Sequence, residues 1–275
     1  MKAARFDYLR PADRAGATVA LADGDARPMA GGQSLGPMLN LRLARPGCVV
    51  DISRLPELRG FEERPAGILF GAALTHAEFE DGAVPDPTPG FLAQVARGIA
   101  YRAVRNRGTI GGSLAHADPA ADWPTALAAL GAHVHLAGPA GTRELPVEAF
   151  ILGAFETALV PGEIITGVFV PRRSGQARFG YSKSCRKVGE FAEAMCAVLV
   201  DPESGTRRLA IGATEARQVV IADAAAALSN PGGVDDLLRA AGLATDPAAF
   251  KLRREIARRA IAALESESMP EGQSA

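Results

Sequence analysis

The sequence predicts an α+β fold in two parts, and three observations predict it. Up to about Pro171, short strand-like and helix-like segments alternate. Residues 172–176 read Arg-Arg-Ser-Gly-Gln, a polar stretch with glycine that marks a boundary. Beyond it strands come first and helices after, the pattern of a small antiparallel sheet with helices on one face. The chain has 275 residues and is 48% hydrophobic, enough for one large domain or two ordinary ones.

Cys48–Ile52 and Gly67–Ala72 are short apolar runs, rich in branched or aromatic residues and bounded by turn formers. They read as buried strands. Phe91–Ala100 and Asp122–Leu130 read as helices. Ala132–Leu136 alternates apolar and polar residues and meets the turn Gly138-Pro139-Ala140-Gly141, so a hairpin to Thr142–Leu145 is expected. Ile164–Val170 is a strand stopped by Pro171. Past the boundary, Ala177–Lys183, Ala194–Val200 and Arg208–Ala213 read as antiparallel strands. Val219–Leu228, Val234–Ala241 and Pro247–Leu264 read as helices. The stretch 266–275 is polar with glycine and proline and is expected to be a disordered tail. No internal repeat is present.

Composition excludes several classes. The net charge is -1 with no basic surface, so nucleic acid is a poor partner. The three cysteines, Cys48, Cys185 and Cys196, form no Cys-x-x-Cys, which argues against a zinc ribbon, an iron–sulfur site or a disulfide scaffold. A reducing cytoplasm fits best. Residues 1–7 carry no apolar run behind their positive charge, so no signal peptide is read there. No stretch approaches the ~18–20 apolar residues of a membrane helix.

Two glycine-rich segments carry the chemistry: Ala30-Gly31-Gly32-Gln33-Ser34-Leu35-Gly36 and Arg107-Gly108-Thr109-Ile110-Gly111-Gly112-Ser113. Paired glycines let backbone approach a ligand and adopt positive φ. Consecutive N–H groups then form a nest for an anion, and a flanking Ser or Thr adds a hydroxyl. Two such loops suit a pyrophosphate held from both sides, with a dinucleotide as the natural guest. Either segment alone reads as well as an ordinary turn. Neither is a P-loop or a Rossmann fingerprint. Gly32-Gln33-Ser34-Leu35-Gly36 also fits the hydrolase nucleophile elbow. That motif needs a buried strand just before it, and Asp23–Met29 reads as too polar and too short; Pro37 follows directly.

Other groups have blander readings. His133 and His135 share one strand face, but no third metal ligand is apparent. His116-Ala117-Asp118 follows the second glycine segment, which favours a loop or cofactor role over a catalytic pair. Asp122, before Trp123-Pro124, reads as a helix N-cap. Lys183, Arg186 and Lys187 could face a phosphate or form a solvated strand end. Lys251–Ile261 has apolar residues at helical spacing with a solvated basic face.

The arrangement, from Phe6 to about Leu264, resembles the medium, FAD-binding subunit of the molybdenum hydroxylases, the group of carbon monoxide dehydrogenase and the xanthine dehydrogenases. Ala30–Leu35 looks like that family's first flavin loop, and Arg105–Asp122 like its second, the longest and most specific match. Gly162-Glu163-Ile164-Ile165 before Val170-Pro171 is similar to the strand closing the flavin domain. Tyr181–Ala192 resembles the opening of the C-terminal domain.

The resemblance implies a two-part FAD domain of the vanillyl-alcohol-oxidase/PCMH type over 1–173, divided near 55–60, and a C-terminal α+β domain over 176–265. It implies FAD held at Ala30, Gly31, Gly32, Gln33, Ser34 and Leu35, and at Thr109, Ile110, Gly111, Gly112 and Ser113. Asp118 or Asp122 would bond the ribityl or flavin part, Ile165 would pack on the cofactor, and Lys183 would approach the ring. Where the family usually has Asp-Tyr, this chain has Glu190-Phe191: Phe191 can stack on a flavin but offers no hydroxyl. No catalytic acid or base and no metal ligand is expected here. A [2Fe–2S] small subunit and a molybdenum-cofactor large subunit would be separate chains, in a dimer of heterotrimers. The rival readings are a stand-alone FAD oxidoreductase of the same fold and an assembly or binding protein that has lost FAD.

Overall fold

The structure, a computed structural model, describes residues 2–230 and 232–266. Apart from residue 266, the expected tail lies outside the described residues. The first layer contains β1 (Asp7–Leu9), α1 (Arg14–Leu21), β2 (Ala26–Met29), α2 (Leu35–Asn40) and β3 (Cys48–Asp51). The strands run parallel in the order β1-β3-β2. Asp13 starts α1 by accepting the Gly16 amide at 2.7 Å. Val50 packs with Ala17, Leu21, Leu55 and Leu58 in a small core of its own.

A short 3-10 turn, Pro56–Leu58, leads to the second layer. It runs β4 (Phe61–Arg64), β5 (Gly67–Gly71), α3 (His76–Glu80), α4 (Phe91–Arg97), α5 (Arg102–Arg105), α6 (Ile110–His116), α7 (Asp122–Leu130), β6 (His133–Gly138) and β7 (Gly141–Pro146). Then come α8 (Val147–Phe150), a small ribbon of β8 (Ile151–Gly153) and β9 (Glu156–Thr157), and β10 (Ile164–Pro171). The larger sheet is antiparallel, in the order β4-β5-β10-β6-β7. The hairpin read from the sequence is present, with Gly138 opposite Gly141.

The third layer is a meander of β11 (Arg178–Ser184), β12 (Ala194–Asp201), β13 (Thr206–Gly212) and β14 (Val219–Ile221), followed by α9 (Ala225–Ser229), α10 (Gly233–Ala240) and α11 (Pro247–Ser266). Strand β12 is apolar at nearly every position because both of its faces are covered. Ala194, Cys196 and Val198 face the core under α10 and α11, while Ala197 and Leu199 join the main core around α7. All nine residues of α7 are buried. Among the described residues no helix is long and apolar enough to cross a membrane.

Some readings are corrected. Val219–Leu228 is not one helix. Its β-branched start, Val219-Val220-Ile221, pairs as β14 with Leu209–Ile211, and only Ala225–Ser229 is helical. The helix begun at Phe91 ends at Arg97, since Gly98 caps it and Ala100 turns to φ 41°. Asp122 is the first residue inside α7, not its cap; Ala121 holds that place without a side-chain bond.

Gly180 of β11 faces α11 so closely that a Cβ there would lie 1.9 Å from the Ala260 carbonyl oxygen. Gly180→Ala is expected to push α11 off the sheet and destabilise the chain by ~1–3 kcal/mol. The check is a lower urea midpoint with an unchanged m-value.

Candidate functional site

The two glycine segments touch. A Cβ on Gly31 would sit 1.8 Å from the Arg107 carbonyl oxygen, and Arg107 Nε donates to the Gly31 oxygen at 3.3 Å. Only glycine permits that approach. Gly32 turns the chain at φ 72°, and Gln33 Nε2 folds back on the Gly31 oxygen at 3.3 Å. The segment then enters α2. Among the described residues, the backbone amides of Gly32, Gln33 and Ser34 and the Ser34 hydroxyl have no hydrogen-bond partner. Ala30 and Leu35 flank this row of donors, both half-buried.

The second segment is built differently from the nest expected of it. It is the capped first turn of α6. Thr109 accepts the Gly112 amide at 3.0 Å, and the Ile110 and Gly111 amides donate to the Leu74 and Ala72 carbonyls at 3.0 and 2.9 Å. The Ser113 amide donates to the Thr109 carbonyl at 3.0 Å. Every amide of 110–113 is therefore used inside the chain. Gly111 is small because a Cβ would lie 2.6 Å from Ala72 Cβ, and Gly112 because one would strike Thr109 Oγ1 at 2.7 Å. What this segment leaves for a ligand is the half-buried Ser113 hydroxyl, without a partner among the described residues.

The elbow reading fails on geometry. A short strand, β2, does precede the first segment, pairing along β3, but Arg27 and Pro28 in it are exposed, so it is not the buried strand the motif needs. Ser34 also sits at φ -106° at the start of α2 rather than on a strained turn, and no base bonds its hydroxyl among the described residues.

Asp122 and Lys183 come together. Lys183 Nζ donates to Asp122 Oδ1 at 2.7 Å and to the Gly98 carbonyl at 2.8 Å. Tyr181 donates to the same Asp122 oxygen at 2.6 Å. Burial, and then the Asp122 charge, push the Tyr181 hydroxyl well above the ordinary phenol range, so it stays protonated. Arg186 and Lys187 do not join this group; both are exposed, and Arg186 pairs with Glu190.

Asp118 closes its own turn, accepting the Ala120 amide at 2.9 Å. It lines a groove of about 340 Å³ with Phe155, Ala192, Thr214 and Glu215. Phe191, next to Ala192, is 69% exposed, on a loop seated on residue 100 by Gly189 at φ 89°. Ile165 is buried in the main core beside a bulge in β10. His133 and His135 are half-buried on one face of β6, and His135 Nε2 lies 3.4 Å from Glu144.

Two functional neighbours escaped the sequence reading. Tyr181 had a signal: two residues before Lys183 on a strand, it shares that face. His76 had none, since its partner is 47 residues away: Trp123 Nε1 donates to His76 Nδ1 at 2.9 Å. The ring backs the second segment, where a Cβ on Gly108 would fall 2.7 Å from His76 Nε2.

Comparison with known proteins decides the class. The profile described as "FAD binding domain in molybdopterin dehydrogenase" matches residues 4–173, which hold both glycine segments. The chain belongs to the FAD-binding medium-subunit family of the molybdenum hydroxylases. It is 38% identical over 204 residues to the carbon monoxide dehydrogenase medium chain of Hydrogenophaga pseudoflava, covering 74% of this chain and 71% of that one. It is 36% identical over 216 residues to the nicotine 6-hydroxylase medium subunit of Paenarthrobacter nicotinovorans, covering 77% and 76%. Reconstituted CO dehydrogenase from Oligotropha carboxidovorans superposes with a TM-score of 0.90 at 28% identity, over 98% of this chain and 100% of that one. As a member of this family the chain is a flavoprotein subunit of an oxidoreductase, with FAD as its cofactor.

Burial, and then the charge of Arg105, lower the His76 pKa from 6.5 to about 4. The folded state thus keeps His76 neutral, while the unfolded chain takes up the proton first as pH falls. Of the stability at neutral pH, about 3 kcal/mol is expected to be lost as pH drops from 6.5 to 4. His76→Gln, which still accepts from Trp123, should flatten that loss in thermal melts taken across the same range.

Proposed function

We propose that this chain is the electron-transfer flavoprotein of a cytoplasmic molybdenum-containing hydroxylase. It takes electrons from a [2Fe–2S] small subunit, fed by a molybdenum-cofactor large subunit, and hands them to an external acceptor. The assembly proposed is a dimer of heterotrimers. The single observation that carries this reading is the contact of the two glycine segments at Gly31 and Arg107, which brings the row of free amides at Gly32, Gln33 and Ser34 up to the second segment. The relatives' names, medium chain and medium subunit, support small and large partners. The three cysteines are all free, too few for a [2Fe–2S] cluster on this chain.

The residues present fit FAD. The amides of Gly32, Gln33 and Ser34, with the Ser34 and Ser113 hydroxyls, suit the oxygens of a diphosphate. Ala30 and Leu35 flank them. Thr109, Ile110, Gly111 and Gly112 lock α6 so that Ser113 is presented at a fixed place. Asp118 still has a carboxylate oxygen for a ribityl hydroxyl. Asp122 and Lys183, bound to each other, and Ile165 would hold the flavin part of the cofactor. Phe191 offers an exposed ring for stacking. When bound, FAD supplies the redox chemistry. The chain's own work is to bind it and orient it, and to leave one face open; no side chain here needs to move a proton.

The test is the visible spectrum of the purified chain after incubation with FAD and desalting. Flavin bands are expected to survive. Gly31→Val should weaken FAD binding by at least ~100-fold, about 3 kcal/mol, because the two segments can no longer meet. A colourless protein that also fails to take up FAD with its neighbouring subunits would overturn the reading.

A further inference from the structure

Gly108, where the second glycine segment meets the first, has two close neighbours. A Cβ on Gly31 would lie 2.9 Å from the Gly108 Cα, and a Cβ on Gly108 itself would lie 2.7 Å from His76 Nε2. The backbone there is zipped to residues 72–76. The Gly111, Ile110 and His76 amides bridge the two stretches, donating to the Ala72, Leu74 and Gly108 carbonyls at 2.9, 3.0 and 2.9 Å. The imidazole of His76 closes the end of this zip, and a packed interior leaves no slack between it and Gly108.

The ring is braced from α7. Its Nδ1 accepts the Trp123 indole N–H at 2.9 Å, and both residues are buried. Trp123 packs against Phe79 with ring centroids 5.2 Å apart, so the indole has nowhere to retreat. A bond in this direction needs a bare Nδ1. An imidazolium carries a proton on both nitrogens and would set N–H against N–H. The charged groups around the ring do not offset such a proton. Arg105 of α5 acts with burial to disfavour it. Glu78 and Glu80 of α3 pair with Arg59 and Arg105, Asp122 of α7 pairs with Lys183, and Arg107 turns to the Gly31 carbonyl.

We infer that His76 is a positioning residue for FAD: its unprotonated ring, braced on Trp123, holds Gly108 against Gly31, and a proton on Nδ1 loosens the cofactor. His76 acts through Gly108 and needs no contact with FAD. The inference rests on FAD lying at the two glycine segments.

The experiment is titration of the purified full chain with FAD, read by flavin fluorescence, with far-UV circular dichroism on each sample to confirm folding. Wild type, His76→Leu and His76→Gln are compared at neutral pH. His76→Leu leaves the Trp123 N–H without an acceptor and should bind FAD at least ~10-fold more weakly. His76→Gln, whose carbonyl accepts that N–H, should recover to within ~3-fold of wild type. Wild type and His76→Gln are then compared in acid. The ring pKa is about 4 and FAD favours the neutral ring, so affinity is full above that pH and falls below it. Wild type should lose about 4-fold between neutral pH and about pH 3.5, and His76→Gln less than ~2-fold. Trp123 is the only tryptophan of the chain, so its emission in FAD-free protein should titrate with His76 in wild type and stay flat in His76→Gln. FAD binding by His76→Leu as tight as wild type, or equal acid losses in wild type and His76→Gln, would overturn the inference. Should His76→Leu not fold, the acid comparison decides; should acid unfold the chain, the neutral comparison does. A wild-type chain that takes up no FAD, alone or with its partner subunits, would instead sink the two-segment site, and the inference with it.

Discussion

Helix α7 is held at both ends by residues that follow β10 in the chain. At its start, Asp122 receives Lys183 and Tyr181 from β11. At its end, Arg208 donates to the Ala128 carbonyl and Arg173 to the Leu130 carbonyl, filling acceptors that a helix terminus leaves open. Between the two clamps every residue is buried, Trp123 completely. Breaking a buried ion pair from one side typically costs ~3–5 kcal/mol, because the other charge stays behind unpaired. The two parts of the chain therefore share a core through α7 instead of meeting as separate bodies.

That shared helix sets the second glycine segment and the turn after it. Trp123 fixes His76, and His76 fills the space behind Gly108. Ala213, at φ 53° after β13, donates to the Pro119 carbonyl and so braces the turn that carries Asp118. Gly189 rests on residue 100 beside the Lys183 bond to Gly98. The second glycine segment is thus backed from within its own layer, and the turn that follows it is braced by the third.

Much of this was legible in the sequence. Strands with one covered face announced themselves by alternation, and β12, covered on both, by its continuous apolar run. The glycine segments could be located, and their pairing guessed, because glycines repeat there beside hydroxyl residues. What stayed hidden was which contact each glycine serves. Gly31 and Gly111 are both required to be small, but one touches Arg107 and the other Ala72, partners far away in sequence. The same holds for Asp122: an acidic residue ahead of an apolar run looks like a cap, and only the folded chain brings Lys183 to it. The mistaken helix at Val219 arose because three β-branched residues are a weak local signal, and pairing with β13 decided the matter.

The clamps on α7 come from residues 173–208, well after the second glycine segment in the chain. During synthesis, which runs from the N-terminus, the first segment and α6 emerge long before the side chains that immobilise the helix behind them. A chain interrupted before β11 would carry both glycine segments and still lack the Tyr181, Lys183 and Arg208 side chains that clamp α7 behind them.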